Sequence, residues 1–103
     1  MDFEIRWTLA AADDLESIIN YAAERDPQAA ERLAESIIAH IEILRTFPRI
    51  GPRYRNRASA DVREILCGMY RVFYRVNERA QFVEILRILH GAREEPNFSG
   101  NGR

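Results

Sequence analysis

The chain of 103 residues contains no lysine and only one cysteine, Cys67. A single cysteine excludes an internal disulfide and cannot by itself build a zinc site. No apolar run approaches the roughly 18 residues of a membrane span, and Asp2, Glu4 and Arg6 interrupt any apolar leader. We therefore expect a soluble protein of a reducing cytosol, with no metal, no cofactor and no membrane partner.

All 15 basic residues are arginines, and they are unevenly distributed although the formal net charge is only -1. Residues 1–44 hold three arginines and ten acids, a net charge of -7, whereas residues 45–93 hold eleven arginines and four acids, a net charge of +7. Such asymmetry indicates an anionic partner, although two solvated faces of opposite sign give the same count. Arginine stays protonated at working pH, so it binds phosphate or carboxylate well but is a poor general base.

The first half of the chain predicts a strand followed by a helical hairpin. Apolar and charged residues alternate over residues 2–8, which is typical of a half-buried strand. Thr8 or Asp13 can then cap a helix. Asp26, followed by proline, can end that helix and cap a second one, and neither proline nor glycine interrupts residues 28–47. Two helices joined by so short a turn form an antiparallel hairpin.

The second half predicts three strands after a loop. Proline and glycine break the helical pattern at 47–52, and residues 53–61 are polar and rich in arginine. Branched and aromatic residues dominate 62–66, 70–76 and 82–89. The fold class is therefore α+β, in the order β-α-α-β-β-β, with the helical hairpin packed on one face of a small, twisted, mainly antiparallel sheet.

A single domain is expected over residues 1–93, followed by a polar, flexible tail over 94–103. Within the sheet, the middle strand should direct one set of side chains toward the helices and core: Tyr70, Val72, Tyr74 and Val76. The opposite face should be open to a partner, and it carries Arg71, Phe73 and Arg75.

Four segments together resemble the RelE/ParE superfamily of toxins of type II toxin–antitoxin systems. They are 47–51 (FPRIG), 62–65 (VREI), 70–76 (YRVFYRV) and 85–93 (ILRILHGAR). The similarity is greatest to the ParE branch, also called plasmid stabilisation proteins. It implies a toxin that is neutralised by a cognate antitoxin encoded by an adjacent gene. In the ParE branch the implied target is DNA gyrase, whereas the ribonuclease branch cuts mRNA on the ribosome.

The resemblance aligns this chain with only part of the set of catalytic residues found in the ribonuclease branch. Arg71 and Arg93 match basic positions of that branch, but the late tyrosine of some members has no counterpart in residues 96–99. RNA cleavage without metal needs both a proton acceptor and a proton donor. Some other members of the family use a histidine and a glutamate for these roles, so the resemblance leaves His90 with Glu64 as a candidate pair. We therefore expect inhibition of DNA gyrase by binding. The alternatives are a ribosome-dependent mRNA interferase and an inactive member that only binds an antitoxin.

No catalytic residue is assigned outside that alternative, and the candidate site is a binding surface. Its residues are Arg63, Arg71, Phe73, Arg75, Arg87 and Arg93. Arg63 and Arg87 can instead pair with acids across the sheet, and His90 can brace the turn after the last strand. Cys67 is interpreted as an inert turn residue, because no histidine or basic residue adjoins it in sequence.

Overall fold

The computed structural model describes residues 2–54 and 61–91. Its elements follow the predicted order: β1 (Glu4–Trp7), α1 (Leu9–Arg25), α2 (Pro27–Glu42), a short 3-10 helix (Ile43–Arg45), β2 (Val62–Cys67), β3 (Tyr70–Asn77) and β4 (Phe82–His90). Arg93 and the tail over 94–103 lie outside the described residues, so the predictions made for them stay predictions.

The four strands form one mixed sheet in the order β1-β4-β3-β2. β2 pairs antiparallel with β3, and β3 pairs antiparallel with β4. β1 pairs in parallel with β4, so that Glu4 lies opposite Phe82. In this order β1 and β2 are the edge strands. The two helices lie on one face of the sheet, which confirms the predicted α+β class.

Both helices begin where short polar side chains accept the first backbone N–H groups. Thr8 Oγ1 accepts from the Ala11 N–H at 3.1 Å, and Asp26 Oδ1 accepts from the Gln28 and Ala29 N–H groups at 3.1 and 3.2 Å. Each contact satisfies donors that have no partner inside the helix. Of the two caps considered for α1, the structure selects Thr8, and it confirms Asp26 at the turn between the helices.

The main core lies between the helical hairpin and the sheet. Ile37 and Ile41 of α2 are buried against Tyr74 of β3 and Ile85 of β4. Trp7 of β1 packs against this core and is partly buried. The four middle-strand residues predicted to face the helices all belong to this cluster or pack against it, which confirms the predicted orientation of β3.

The opposite face of the sheet carries a second, smaller core. Phe73 is fully buried there with Val62, Leu86 and Leu89, and the ring of Tyr54 meets it edge-on with 5.2 Å between centroids. The expectation that Phe73 lies open to a partner is therefore wrong. The cause is a bulge: Phe73 pairs with Arg87 and Tyr74 with Ile85, so the extra residue of β4, Leu86, is left to cover Phe73.

Candidate functional site

Arg71 occupies the centre of the face that the helices leave uncovered. Its Nε lies 2.6 Å from Glu64 Oε2, and both side chains retain only about a fifth of their exposure. The guanidinium also lies over the Phe73 ring, 4.8 Å from its centroid. Arg71 is therefore held by a carboxylate and an aromatic face, and an anionic partner must compete with Glu64 for it.

Arg75 continues the same face toward the other end of β3. Its Nε lies 2.8 Å from Asp61 Oδ2, and its Nη1 lies 3.7 Å from Glu84 Oε1. Its side chain is 38% exposed, about twice as much as that of Arg71. Exposed ion pairs of this kind contribute little stability, so Arg75 can exchange its carboxylates for those of a partner at small cost.

Arg63 contacts backbone carbonyls instead of the acids considered for it. Its Nη1 donates to the carbonyl oxygens of Gly51 at 2.7 Å and Arg49 at 3.3 Å. Gly51 in turn donates its N–H to the hydroxyl of Tyr74 at 2.9 Å. Burial raises the pKa of Tyr74, while the Gly51 hydrogen bond and the charge of Arg63 oppose that rise. Arg63 and Tyr74 together fasten the loop before β2 to the sheet.

Arg87 pairs with an acid of helix α1 and not with one across the sheet. Its Nε and Nη2 donate to the two carboxylate oxygens of Asp14 at 2.7 and 2.9 Å. Asp14 Oδ2 also accepts the Ile88 N–H at 3.0 Å. The hydrogen bond with Asp14 raises the pKa of Arg87 against the opposing effect of burial. Arg87 therefore joins α1 to β4, and the binding role expected for it stays a prediction.

The structure separates the acid–base pair that the ribonuclease alternative requires, His90 and Glu64. Tyr70 pairs with His90, and their rings meet edge-on on the helix side of the sheet with 5.6 Å between centroids. Glu64 is paired with Arg71 on the opposite face. A strand alternates its side chains between the two faces, so the sheet separates His90 from Glu64. Of the four candidates, Arg93 lies outside the described residues.

Cys67 has a neighbour that sequence reasoning missed. It is the buried last residue of β2, so the interpretation as a turn residue is wrong. Its Sγ lies 3.3 Å from His40 Nδ1 and 3.7 Å from Ser36 Oγ, both on α2. Ser36 and His40 lie one helical turn apart and hence on one face, which is the only sequence signal for the contact. Among the described residues, no cluster of three or more metal-ligating side chains occurs.

The uncovered face is therefore a set of arginine–carboxylate pairs around a small buried cluster. Arg71 and Arg75 on this face are held in place by acids. Such a surface suits recognition of carboxylate or phosphate by positioned guanidinium groups. Arg63 pairs with Tyr74, so it belongs to the helix side of the sheet, where carbonyls hold it. No helix within residues 2–54 and 61–91 is long and apolar enough to cross a bilayer.

Two of the solved structures that share this architecture come from toxin–antitoxin systems. The RelBE2 toxin–antitoxin complex from Mycobacterium tuberculosis matches with a TM-score of 0.62 and 24% identity, over 87% of this chain and 99% of that chain. The chromosomal ParDE system from P. aeruginosa matches with a TM-score of 0.73 and 22% identity, over 85% and 95%. The architecture is thus the fold shared by RelE and ParE proteins.

Sequence comparison identifies the family within the proteins that share this fold. The model of the family described as "ParE toxin of type II toxin-antitoxin system, parDE" matches residues 5–95. The protein named "Putative toxin Y4kP" from Sinorhizobium fredii is 31% identical over 93 residues, which are 89% of this chain and 92% of that protein. The chain belongs to the ParE toxin family of type II toxin–antitoxin systems, which confirms the resemblance found in the sequence.

Proposed function

We propose that this toxin acts by binding, that its target is DNA gyrase, and that an antitoxin encoded beside it neutralises it. The observation that carries the proposal is the separation of His90 from Glu64 by the sheet, with Glu64 already paired to Arg71. Proton transfer needs a positioned acid and base within hydrogen-bond reach of the same substrate. The described residues offer instead the arginines of the uncovered face, which are suited to binding.

The antitoxin part of the proposal rests on charge as well as on family. The basic half of the sequence forms three of the four strands of the sheet, and two of its arginines, Arg71 and Arg75, lie on the uncovered face. An acidic partner segment can replace Glu64, Asp61 or Glu84 as their counter-charge. The related structures from toxin–antitoxin systems support this expectation.

A supercoiling assay with purified toxin and DNA gyrase tests the target. We expect inhibition by the wild-type chain, and relief of inhibition when the antitoxin is added first. His90→Ala should inhibit as strongly as the wild type, because His90 lies on the helix side of the sheet. Full gyrase activity at micromolar toxin would contradict the proposal.

Primer extension on cellular mRNA after toxin induction tests the enzymatic alternative. Codon-linked cuts that disappear in His90→Ala would establish an mRNA interferase and overturn a mechanism by binding alone. Normal growth of cells that express the toxin without its antitoxin, together with binding of the antitoxin to the purified toxin, would instead indicate an inactive member of the family.

A further inference from the structure

A cleft of about 510 Å³ lies between α1 and the last part of β4. β1 reaches only as far as Ile85 along β4, so side chains of α1 form the wall that faces the rest of β4. The volume falls within the range of roughly 300–1,000 Å³ that is usual for small-molecule sites. Glu64, Arg71 and Arg75 do not line this cleft, so it is separate from the arginine–carboxylate pairs of the uncovered face.

The cleft is lined by aromatic and aliphatic side chains from three elements. Tyr21 of α1 is 63% exposed, and Tyr70 and His90 meet edge-on with 5.6 Å between ring centroids. Ile18 and the buried Ile88 supply aliphatic surface. An exposed aromatic face stacks on other flat rings. The lining therefore favours a flat aromatic ligand.

The cleft also offers a hydrogen-bond donor and two acceptors. The Ser17 hydroxyl lines it and can act in both ways. Asp14 accepts the Ile88 N–H, and the carbonyl of a strand residue points to the same side as its N–H. Within residues 2–54 and 61–91, no hydrogen bond joins the Ile88 carbonyl to another residue. These groups suit a ring whose edge carries both donors and acceptors.

The charges inside the cleft disfavour a cationic ligand. Arg87 and Asp14 both line it, and they neutralise each other through two hydrogen bonds. The Asp14 carboxylate is already shared between Arg87 and the Ile88 N–H, so it has little capacity left for a further donor. The Arg25 guanidinium lies over the Tyr21 ring, 5.6 Å from its centroid, and repels a cation that approaches the same ring.

The charges around the cleft disfavour an anionic ligand. α1 carries three exposed acids, Asp13, Glu16 and Glu24. Among the described residues, none of these acids forms an ion pair. Their negative potential opposes a phosphate group at this end of the molecule. The cleft is therefore best matched by a ligand without charge.

We propose that the cleft between α1 and β4 binds an uncharged aromatic nitrogen heterocycle of the nucleoside class. The ring stacks on Tyr21, and its polar edge meets the Ser17 hydroxyl and the Ile88 carbonyl. This inference goes beyond the proposed function, because it assigns a small-molecule site that neither the target nor the antitoxin requires.

Amide NMR spectra of the full chain, titrated with adenosine and with guanosine, test the site. We expect saturable shifts at Ser17, Tyr21 and Ile88, with Kd between about 0.1 and 1 mM, as for a ligand of this size in an open cleft. The amide of Arg71, on the uncovered face, should not shift. AMP has the same base as adenosine and an added phosphate, so it should bind severalfold more weakly.

A matched pair of substitutions tests the stacking. Tyr21→Ala removes the exposed ring of the cleft, so we expect Kd to rise by at least about fivefold. Phe47→Ala removes a ring that is 58% exposed and lies outside the cleft, and it should leave Kd unchanged. Circular dichroism and thermal melting of both variants verify that they fold.

Each of three results would overturn the inference. The first is the absence of binding by both nucleosides at millimolar concentration. The second is binding that Tyr21→Ala does not weaken, or that Phe47→Ala weakens equally. The third is tighter binding of AMP than of adenosine, which would assign the cleft to phosphate compounds. Inhibition of DNA gyrase is measured separately, so the proposed function stands or falls on its own assay.

Discussion

At the scale of single residues, the hydroxyl group of Tyr74 ties the loop before β2 to the sheet. The residue is fully buried, and its oxygen accepts the Gly51 N–H at 2.9 Å. Gly51 has no room for a side chain, since an added Cβ would lie 2.6 Å from the Glu64 carbonyl oxygen and 2.8 Å from that hydroxyl. The close approach of the loop to the sheet therefore depends on a glycine and a tyrosine together.

Replacement of Tyr74 by phenylalanine tests this contact. Tyr74→Phe leaves the Gly51 N–H buried without an acceptor, so we expect the free energy of unfolding to fall by about 1–3 kcal/mol. Chemical denaturation with linear extrapolation measures the change. Tyr21→Phe is the control, because Tyr21 is 63% exposed and its hydroxyl should contribute less than about 0.5 kcal/mol.

The same substitution should alter the response to alkali. Burial raises the pKa of Tyr74 above its ordinary value of 10.0, so the folded state keeps the proton that the unfolded state loses. The associated stability is present in full below that ordinary value and is lost as pH rises from it through the folded-state pKa. Tyr74→Phe should flatten the fall of stability in this window, which chemical denaturation at a series of alkaline pH values measures.

At the scale of elements, Asp14 couples α1 to the end of the sheet. β1 ends at Trp7, opposite Ile85, so the outer edge of β4 beyond that point lacks a neighbouring strand. Thr8 Oγ1 donates to the Ile85 and Leu86 carbonyls at 2.8 and 3.1 Å. Asp14 accepts the Ile88 N–H and binds Arg87. The start of the helix thus supplies the hydrogen bonds that a longer β1 would have made.

Removal of this carboxylate should loosen the joint between helix and sheet. Asp14→Ala removes the acceptor of the Ile88 N–H and the carboxylate that Arg87 binds, so we expect a loss of about 2–3 kcal/mol in the free energy of unfolding. Asp13→Ala is the matched control, because Asp13 is the adjacent residue and is exposed. Equal stability of the two variants would show that the contact contributes nothing to folding.

The secondary-structure elements could be predicted from the sequence, whereas most contacts between the elements could not. The caps at Thr8 and Asp26 depend on residues close in sequence, and both follow from local patterns. The burial of Phe73 could not be predicted, because it depends on a bulge between β3 and β4 and on a loop residue, Tyr54. The acid that pairs with Arg87 lies 73 residues away, and no local pattern selects it.

At the scale of the whole molecule, the two charged halves of the sequence occupy different parts of the fold. The acidic half forms β1 and the helical hairpin, and the basic half supplies the loop and the remaining strands. The near-zero net charge therefore conceals a dipolar molecule. Such a distribution orients a charged partner before contact and changes the association rate more than the dissociation rate.

Ionic strength should therefore control the rate at which the antitoxin associates. Raising salt from about 0.05 M to about 0.5 M should lower the association rate constant severalfold, because surface charges are screened over shorter distances. Stopped-flow mixing measures it. Arg75→Gln, on the uncovered face, should show a weaker salt dependence, whereas Arg25→Gln, on the acidic hairpin, should not. A salt-independent rate for the wild type would contradict steering by arginine.

The parallel pairing of β1 with β4 joins the two ends of the fold. Glu4 lies opposite Phe82 and Trp7 opposite Ile85, whereas the helical hairpin needs only neighbouring residues. During translation the hairpin can form early, but β1 has no partner until β4 has left the ribosome. A nascent or truncated chain that lacks β4 cannot complete its sheet, so the folded toxin can exist only after β4 has been synthesised.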